Sequence, residues 1–122
     1  MHKKILVVDD SATVRHQVRA ALTSAGFDIL EAKDGVEGLR AFAGCTELAA
    51  VICDVNMPRM GGLQLLKLVN SLGRLPSVPV VMLTTEGQPE LVQQAKSLGA
   101  KGWIVKPFTP HQLVATLQRL TT

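Results

Sequence analysis

The sequence predicts an α/β domain in which a parallel β-sheet is covered by helices on both faces. Two observations carry this prediction: five short apolar runs recur along the chain, and each is followed by a stretch with apolar residues at helical spacing. Strands buried on both faces read as unbroken apolar runs, and parallel strands need a crossover that a helix supplies. With 122 residues, 47% of them hydrophobic and 19% charged, the chain suits a single domain over residues 1–122.

The elements follow in order along the chain. The predicted strands are Ile5–Val8, Phe27–Leu30, Ala49–Cys53, Val78–Leu83 and Trp103–Val105. The five helices are predicted from inward-facing residues, which are Val14, Val18, Ala21, Leu22 and Ala25 in the first; Val36, Leu39 and Ala43 in the second; Leu63, Leu66, Val69 and Leu72 in the third; Leu91, Ala95 and Leu98 in the fourth; and Leu113, Leu117 and Leu120 in the fifth.

Helix ends are marked by glycine and proline. Gly26 and Gly99 are expected to end the first and fourth helices. Thr109-Pro110 and Gln88-Pro89 each combine an N-cap with a proline at the first helical position. These signals place the starts of the fifth and fourth helices.

Reactive side chains follow four of the five predicted strands. They are Asp9 and Asp10 after the first, Asp54 after the third, Thr84 and Thr85 after the fourth, and Lys106 after the fifth. In open α/β sheets the working site lies beyond the carboxyl ends of the strands, so we expect these residues to share one pocket. The second strand ends in Glu31 and carries no comparable signal, which is typical of an edge strand.

A pocket that gathers three carboxylates needs either a bound proton or a cation, because the carboxylates repel one another. Oxygen donors without a nearby His or Cys favour a hard ion, and we expect Mg²⁺, with Mn²⁺ as an alternative. A simpler explanation for Asp9-Asp10 is that Asp10 or Ser11 caps a helix beginning at Ala12. A cap explains one aspartate, whereas the pair together with Asp54 favours the metal site.

Asp54 is the candidate reacting group. A carboxylate at the end of a buried strand can attack phosphorus and form an aspartyl phosphate. The cation and the Lys106 ammonium would offset the charge on the phosphoryl oxygens, and the Thr84 hydroxyl can donate a hydrogen bond to one of them. Taken alone, Thr84 is an ordinary strand-end residue and Lys106 an ordinary surface lysine; beside the aspartates they predict phosphoryl chemistry.

Four segments resemble the receiver domain of bacterial two-component response regulators, and are closest to its stand-alone, chemotaxis-type members related to CheY. The segments are ILVVDDS at 5–11, VICDVNMPRMGG at 51–62, PVVMLTT at 79–85 and GAKGWIVKPF at 99–108. The resemblance covers the whole chain. It implies a flavodoxin-like, doubly wound fold whose five-stranded parallel sheet has the order 2-1-3-4-5, and a receiver domain over residues 1–122 with no effector domain.

The resemblance also implies roles for the pocket residues. Asp54 would be the phospho-acceptor, and Asp9, Asp10, Asp54 and the backbone carbonyl of Asn56 would hold Mg²⁺. The donor would be a sensor histidine kinase or its phosphotransfer domain. Because the protein would catalyse only its own phosphorylation and dephosphorylation, we do not expect an enzyme.

Further residues are implied to switch or to tune the response. Thr84 would follow the phosphoryl group inward, and Lys106 would be its partner, aimed by a cis peptide to Pro107. Thr85 is counted with the switch and tuning positions. Asn56 and Glu86, two residues after Asp54 and Thr84, match positions that tune phosphoryl lifetime. Because both are of the same residue types as in CheY, the phosphorylated form is expected to be short-lived.

One position departs from the family pattern. Three residues before Lys106, receivers usually carry Tyr or Phe, which turns inward upon phosphorylation; this chain has Trp103. Two interpretations stay open for Trp103: a switch role, or a half-exposed ring that covers the sheet edge. The output surface is expected on the fourth helix, fifth strand and fifth helix, where Val92 and Lys96 join Trp103 as candidate partner contacts.

Composition excludes several other roles. The net charge of +3 is carried by scattered basic residues and aromatics make up only 3%, so direct nucleic-acid binding is not expected. The longest apolar stretch, Leu48–Cys53, is too short to cross a bilayer, and we expect no membrane association but a cytoplasmic protein with both cysteines, Cys45 and Cys53, as free thiols. The histidines lack ligand spacing and are expected at the surface: His2, His16 and His111.

The sequence therefore predicts a phosphorylation-activated switch that acts by altered protein–protein binding in chemotaxis or motility, as a monomer able to dimerise transiently. A phosphate carrier or sink in a phosphorelay is an open alternative. A small Mg²⁺-dependent phosphatase is disfavoured because its nucleophile would follow the first strand and it would need a cap. A flavin mononucleotide binder is disfavoured because Asp9-Asp10 would repel the phosphate, and a degenerate scaffold because the pocket set is complete.

Overall fold

The elements of the fold alternate along the chain. The computed structural model describes residues 3–57, 59–73, 78–85 and 89–122, and within them five strands alternate with five helices. The strands are β1 (Lys4–Val8), β2 (Asp28–Ala32), β3 (Leu48–Asp54), β4 (Val80–Thr84) and β5 (Gly102–Val105). The helices are α1 (Ala12–Ser24), α2 (Gly35–Gly44), α3 (Gly62–Ser71), α4 (Pro89–Ser97) and α5 (Pro110–Thr121).

The sheet is parallel throughout and has the order β2-β1-β3-β4-β5. This confirms the predicted doubly wound, flavodoxin-like α/β fold. In the register, Val8 lies beside both Ala32 and Cys53, and Asp54 lies beside Leu83. The carboxyl ends of β1, β3 and β4 therefore meet at the same edge of the sheet.

Two apolar cores lie on opposite faces of the sheet. Along β1, Ile5 and Val7 pack against α1 and α5, whereas Leu6 and Val8 pack against the other face with α2, α3 and α4. All four side chains are fully buried, which explains why β1 reads as an unbroken apolar run. The central strands are thus held rigidly from both sides.

The inward faces of two helices differ from the prediction. In α2, Leu39 packs against the core as predicted, but Phe42 is fully buried and Ala43 is exposed, so the predicted stripe was wrong at Ala43. The face of α2 that packs against the sheet contains glycines. A Cβ on Gly38 would lie 2.9 Å from a Val8 methyl group, so the helix backbone itself approaches the sheet. In α3, Leu65 is buried, while Leu72 lies beyond the helix end and is 48% exposed.

The predicted ends of the elements largely agree with the structure. Thr109 caps α5 by accepting a hydrogen bond from the Gln112 N–H, as predicted, whereas Gln88 lies outside the described residues. Gly26 and Gly99 follow α1 and α4 with φ of 94° and 103°, a conformation that glycine adopts without strain. The second strand is displaced from the predicted Phe27–Leu30, because Phe27 precedes it and Glu31 lies within it.

Two further predictions concern cysteines and membranes. In the described part of the chain, neither Cys45 nor Cys53 forms a disulfide, as predicted. In the part of the chain that the structure describes, none of the helices is long and apolar enough to cross a bilayer.

Candidate functional site

Three aspartates converge at the carboxyl edge of the sheet. Carboxylate oxygens of Asp9, Asp10 and Asp54 all lie within 4.8 Å of one another. Asp9 directly follows β1 and Asp54 ends the neighbouring β3, so the parallel pairing of these two strands brings them together. Asp9 is fully buried and Asp54 is 5% exposed, whereas Asp10 faces solvent. Two of the three carboxylates are therefore buried.

Asp9 is held in place through both carboxylate oxygens. The Ser11 N–H donates to Oδ1 at 2.9 Å, and Lys106 Nζ donates to Oδ2 at 2.9 Å. The Ser11 hydroxyl oxygen in turn accepts from the Val14 N–H at 3.2 Å and caps α1. Since Ser11 is the cap, helix capping does not account for the aspartate pair.

Lys106 lies between two carboxylates. Its ammonium is 2.9 Å from Asp9 Oδ2 and 3.5 Å from Asp54 Oδ1, and its side chain is only 15% exposed. The backbone reinforces this position, because the Lys106 N–H donates to the Thr84 carbonyl at 2.6 Å. The Lys106–Pro107 peptide is cis, as the family resemblance implies.

The electrostatics of the pocket favour a cation. Burial, followed by the neighbouring Asp9, raises the pKa of Asp54 from 3.8 to about 6, although Lys106 and the Asn56 backbone N–H act in the opposite direction. Three carboxylates face one ammonium, which leaves negative charge uncompensated. All three acidic donors are oxygen atoms, the ligand type that hard divalent cations prefer. These residues therefore fit Mg²⁺.

The other predicted pocket residues lie at the same edge. Thr84 ends β4 with a fully buried side chain, and Thr85 follows it at the surface. Asn56 is exposed, and its backbone N–H is hydrogen-bonded to the Asp54 carboxylate. Glu86 lies outside the described residues.

Trp103 lies in β5 opposite Met82 and is partly buried against the core on the α2–α4 side of the sheet. Its ring borders a cavity of about 60 Å³ beneath α4, together with Ala95 and Lys96. Within the described ranges, the buried indole Nε1 has no hydrogen-bond partner. Of the other candidate contacts, Lys96 is exposed and Val92 is partly exposed.

An ionic network on the other side of the pocket was not predicted from the sequence. Glu31 accepts from Arg15 Nε at 3.1 Å and from Arg19 Nε at 2.6 Å, and Arg15 Nη1 also donates to the Asp9 carbonyl. The hydrogen bond from Arg19 is the main reason that the pKa of Glu31 is lowered. The available signal was two arginines four residues apart on α1, facing an acidic residue of β2.

A groove beside Lys106 was also missed. It has a volume of about 480 Å³ and is lined by Val14 and Gln17 of α1 and by Phe108 and Pro110 near the start of α5. Thr85 and Lys106 form its end next to the acidic pocket. The side chains that line it are spread over three segments, which no local pattern connects.

The chain after Asp54 folds back over the strand end. The Gly62 N–H donates to the Val55 carbonyl at 2.8 Å, and a Cβ on Gly62 would lie 2.1 Å from the Asp54 carbonyl oxygen. Only glycine fits at this close approach of two backbone segments. The start of α3 thereby supports the backbone of Asp54.

The doubly wound sheet with an acidic pocket at its carboxyl edge is the architecture of a receiver domain. The family model described as the response regulator receiver domain matches residues 5–118, and the chain belongs to this family. Chemotaxis protein CheY1 of Helicobacter pylori is 42% identical over 116 residues, which cover 94% of each protein. A chemotaxis protein CheY homolog of Campylobacter jejuni is 41% identical over 116 residues, covering 94% of this chain and 89% of that protein.

Two solved CheY structures have the same fold as this chain. Chemotaxis protein CheY4 of Vibrio cholerae has a TM-score of 0.92 and 42% sequence identity, covering 98% of this chain and 99% of that one. The CheY of Borrelia burgdorferi, solved as a CheX–CheY–BeF3–Mg²⁺ complex, has a TM-score of 0.92 and 28% identity, covering 98% and 90%. The similarity therefore extends over nearly the whole fold.

Proposed function

We propose that the protein is a phosphorylation-activated signalling switch of a two-component system, with Asp54 as the residue that accepts the phosphoryl group. The observation that carries the proposal is the convergence of three carboxylates within 4.8 Å, with the Lys106 ammonium 3.5 Å from Asp54. The donor is a histidine kinase or its phosphotransfer domain. Residues 5–118 act as a receiver domain, and we place the protein in the cytoplasm.

The chemistry at Asp54 requires an ionised carboxylate. With the pKa of Asp54 raised to about 6, the carboxylate is largely ionised at neutral pH yet poorly solvated, which suits a nucleophile. An Asp54 oxygen forms a bond to phosphorus while the bond from phosphorus to the donor nitrogen breaks. A Mg²⁺ held by Asp9, Asp10, Asp54 and the Asn56 carbonyl would neutralise charge on the phosphoryl oxygens.

Two residues then interact with the phosphoryl group on Asp54. Lys106, which bridges Asp9 and Asp54 before the reaction, can turn its ammonium to a phosphoryl oxygen. The Thr84 hydroxyl at the neighbouring strand end donates to another oxygen. Both residues lie on the β4 and β5 side of the pocket, so we propose that the response spreads to the surface formed by α4, β5 and α5, where Val92, Lys96 and Trp103 contact a partner protein.

Relatives indicate the process that the switch serves. The similar proteins of Helicobacter pylori and Campylobacter jejuni are chemotaxis proteins, and the Borrelia CheY was solved bound to CheX. We propose a role in chemotaxis or motility for this chain too, through altered binding to a partner protein. Transfer of the phosphoryl group onward to a histidine protein would instead support the phosphorelay alternative.

Phosphorylation with a small-molecule donor tests the proposal directly. Incubation with acetyl phosphate and Mg²⁺ is expected to add one phosphoryl group to wild type, and EDTA or the Asp54→Asn change is expected to abolish the addition. Intact-mass and peptide mass spectrometry measure the label, and hydroxylamine should remove it because an acyl phosphate is labile. Equal labelling of the Asp54→Asn variant would refute the proposal.

Removing the Lys106 amine should separate phosphorylation from the response. The Lys106→Ala protein is expected still to accept phosphate on Asp54 but to lose most of the change in hydrogen exchange over α4 and β5. Lys67→Ala, which removes an exposed lysine of α3, serves as the control and should respond like wild type. If phosphorylated Lys106→Ala and wild type show the same exchange pattern, Lys106 does not transmit the signal.

A further inference from the structure

Arg59 has an unusual backbone conformation in the loop that follows Asp54. Its φ is 68°, in the left-handed region, and it is the one non-glycine residue with positive φ in the described part of the chain. Arginine carries a steric penalty there that glycine and asparagine largely avoid. Such strain persists only where surrounding contacts hold it, and it concentrates at functional sites.

A buried carboxylate at the start of α2 supplies one such contact. Arg59 Nη1 lies 3.2 Å from Asp34 Oδ2, and Asp34 is only 3% exposed. The other oxygen, Asp34 Oδ1, accepts from the Glu37 N–H at 2.9 Å and caps α2. Asp34 therefore holds two elements at once: one oxygen fixes the helix, and the other fixes the loop.

The same loop rests directly on the start of α2 at the next residue. A Cβ on Gly35 would lie 2.5 Å from the Met60 carbonyl oxygen and 2.6 Å from Met60 Cβ. The backbone at Gly35 is thus in close contact with both the carbonyl group and the side chain of Met60. Contacts of Arg59 and Met60 therefore hold the loop against the N-terminus of α2.

The other end of the loop adjoins the acidic pocket. Asn56, three residues before Arg59, donates its backbone N–H to the Asp54 carboxylate. Under the function proposed above, the carbonyl of Asn56 is a ligand of the divalent cation. A displacement of this loop therefore moves a ligand of the cation and a hydrogen bond to the phospho-acceptor together.

We infer that the Arg59–Asp34 ion pair is a positioning device that aligns the Asn56 backbone with Asp54 and thereby raises the affinity of the pocket for Mg²⁺. This inference rests on the proposed function, because it concerns the same cation site. Arg59 does not touch the reacting atoms; it acts through the loop that it ties to α2.

The direction in which Mg²⁺ affinity changes when Arg59 is removed distinguishes a positioning role from a purely electrostatic one. Arg59 is a cation in the loop that follows Asp54, so its field alone opposes the binding of Mg²⁺. If only charge matters, removing Arg59 strengthens Mg²⁺ binding. If Arg59 positions the loop, removing it weakens Mg²⁺ binding.

Two variants break the pair while sparing the local structure. Arg59→Asn removes the guanidinium but places a residue that tolerates the left-handed conformation. Asp34→Ser removes the carboxylate but keeps a side-chain oxygen that can cap α2. Lys33→Ala is the matched control, because it removes a neighbouring exposed cation whose ion pair is with Glu37 at 3.7 Å.

Isothermal titration calorimetry with Mg²⁺ alone measures the dissociation constant, and thermal unfolding in EDTA reports stability separately. Arg59→Asn is expected to raise the dissociation constant about fivefold, as loss of one ion pair allows, with an unfolding temperature close to that of wild type. Asp34→Ser should act in the same direction, and the double variant should bind no more weakly than the weaker single one. Lys33→Ala should bind Mg²⁺ as tightly as wild type or more tightly.

The outcomes are distinguishable. If wild type binds Mg²⁺ and Arg59→Asn binds it equally or more tightly, the inference is wrong while the proposed function stands. If wild type binds no Mg²⁺, or binds it unchanged after Asp54→Asn, the proposed function fails and takes the inference with it. Weaker Mg²⁺ binding by the Arg59→Asn protein, at unchanged thermal stability, supports the positioning role of Arg59.

Discussion

The Asp54→Asn protein is expected to be more stable than wild type by roughly 3 kcal/mol at neutral pH in EDTA, on the basis of 1.36 kcal/mol per pKa unit. The cause is the unfavourable environment of the ionised Asp54 carboxylate, because burial and the neighbouring Asp9 raise its pKa from 3.8 to about 6. An amide at this position has no charge to desolvate. The fold is therefore less stable with an ionised aspartate at position 54 than with an amide.

The pH dependence of this difference follows from the direction of the shift. Asp54 binds its proton more tightly in the folded protein than in the unfolded chain, so folding is favoured where Asp54 is protonated. Its contribution is fully present below about pH 4 and is lost as the pH rises through about 6. Wild type should lose stability over this window relative to Asp54→Asn.

Urea unfolding in EDTA across this pH range measures the effect as a free energy of unfolding. Asp10→Asn is the control, because it removes a carboxylate of the same cluster that is exposed to solvent, and its gain should be much smaller. Adding Mg²⁺ should narrow the gap between wild type and Asp54→Asn, since the cation stabilises the folded state that binds it. Parallel stability curves for wild type and Asp54→Asn would contradict the prediction.

Gly62→Ala is expected to destabilise the protein by roughly 3 kcal/mol, at the upper end of the cost of overpacking. The added methyl group would lie 2.1 Å from the Asp54 carbonyl oxygen and 2.8 Å from Val55 Cα, both of them backbone atoms. Neither can move without shifting the end of β3. The small gain in helix propensity from alanine cannot offset this clash.

A second glycine provides the matched control. Gly44 ends α2, and a Cβ there would meet no other atom within 4 Å. Gly44→Ala should therefore leave the free energy of unfolding unchanged or raise it slightly. If the two variants unfold at the same urea concentration, the close packing at Gly62 is not required.

Much of the fold could be predicted because the strongest signals are local. The unbroken apolar runs of β1, β3 and β4 reflect burial on both faces, and the polar residues after them mark the carboxyl edge. The positions of Asp9, Asp10, Asp54 and Lys106 in one pocket follow from that edge. The strand order came from the family resemblance, since apolar periodicity does not specify which strands are neighbours.

The errors have physical causes. The predicted stripe of α2 missed Phe42 because the helix packs through Gly35 and Gly38, and glycine contributes no hydrophobic signal. The pairing of Glu31 with Arg15 and Arg19 depends on how α1 lies across β2, which is a tertiary feature. The side chains of Arg59 and Asp34 are distant in sequence, and a left-handed arginine runs against local propensity.

The two edge strands of the sheet are held by different kinds of contact. On the β2 side, the Glu31 carboxylate pairs with Arg15 and Arg19 and so links this edge strand to α1. At the opposite end, the outermost strand β5 carries an exposed Val105 and a ring with space beneath it. Side-chain ion pairs therefore join β2 to α1, whereas β5 is held by apolar contacts of Trp103 and Ile104 on the two faces of the sheet.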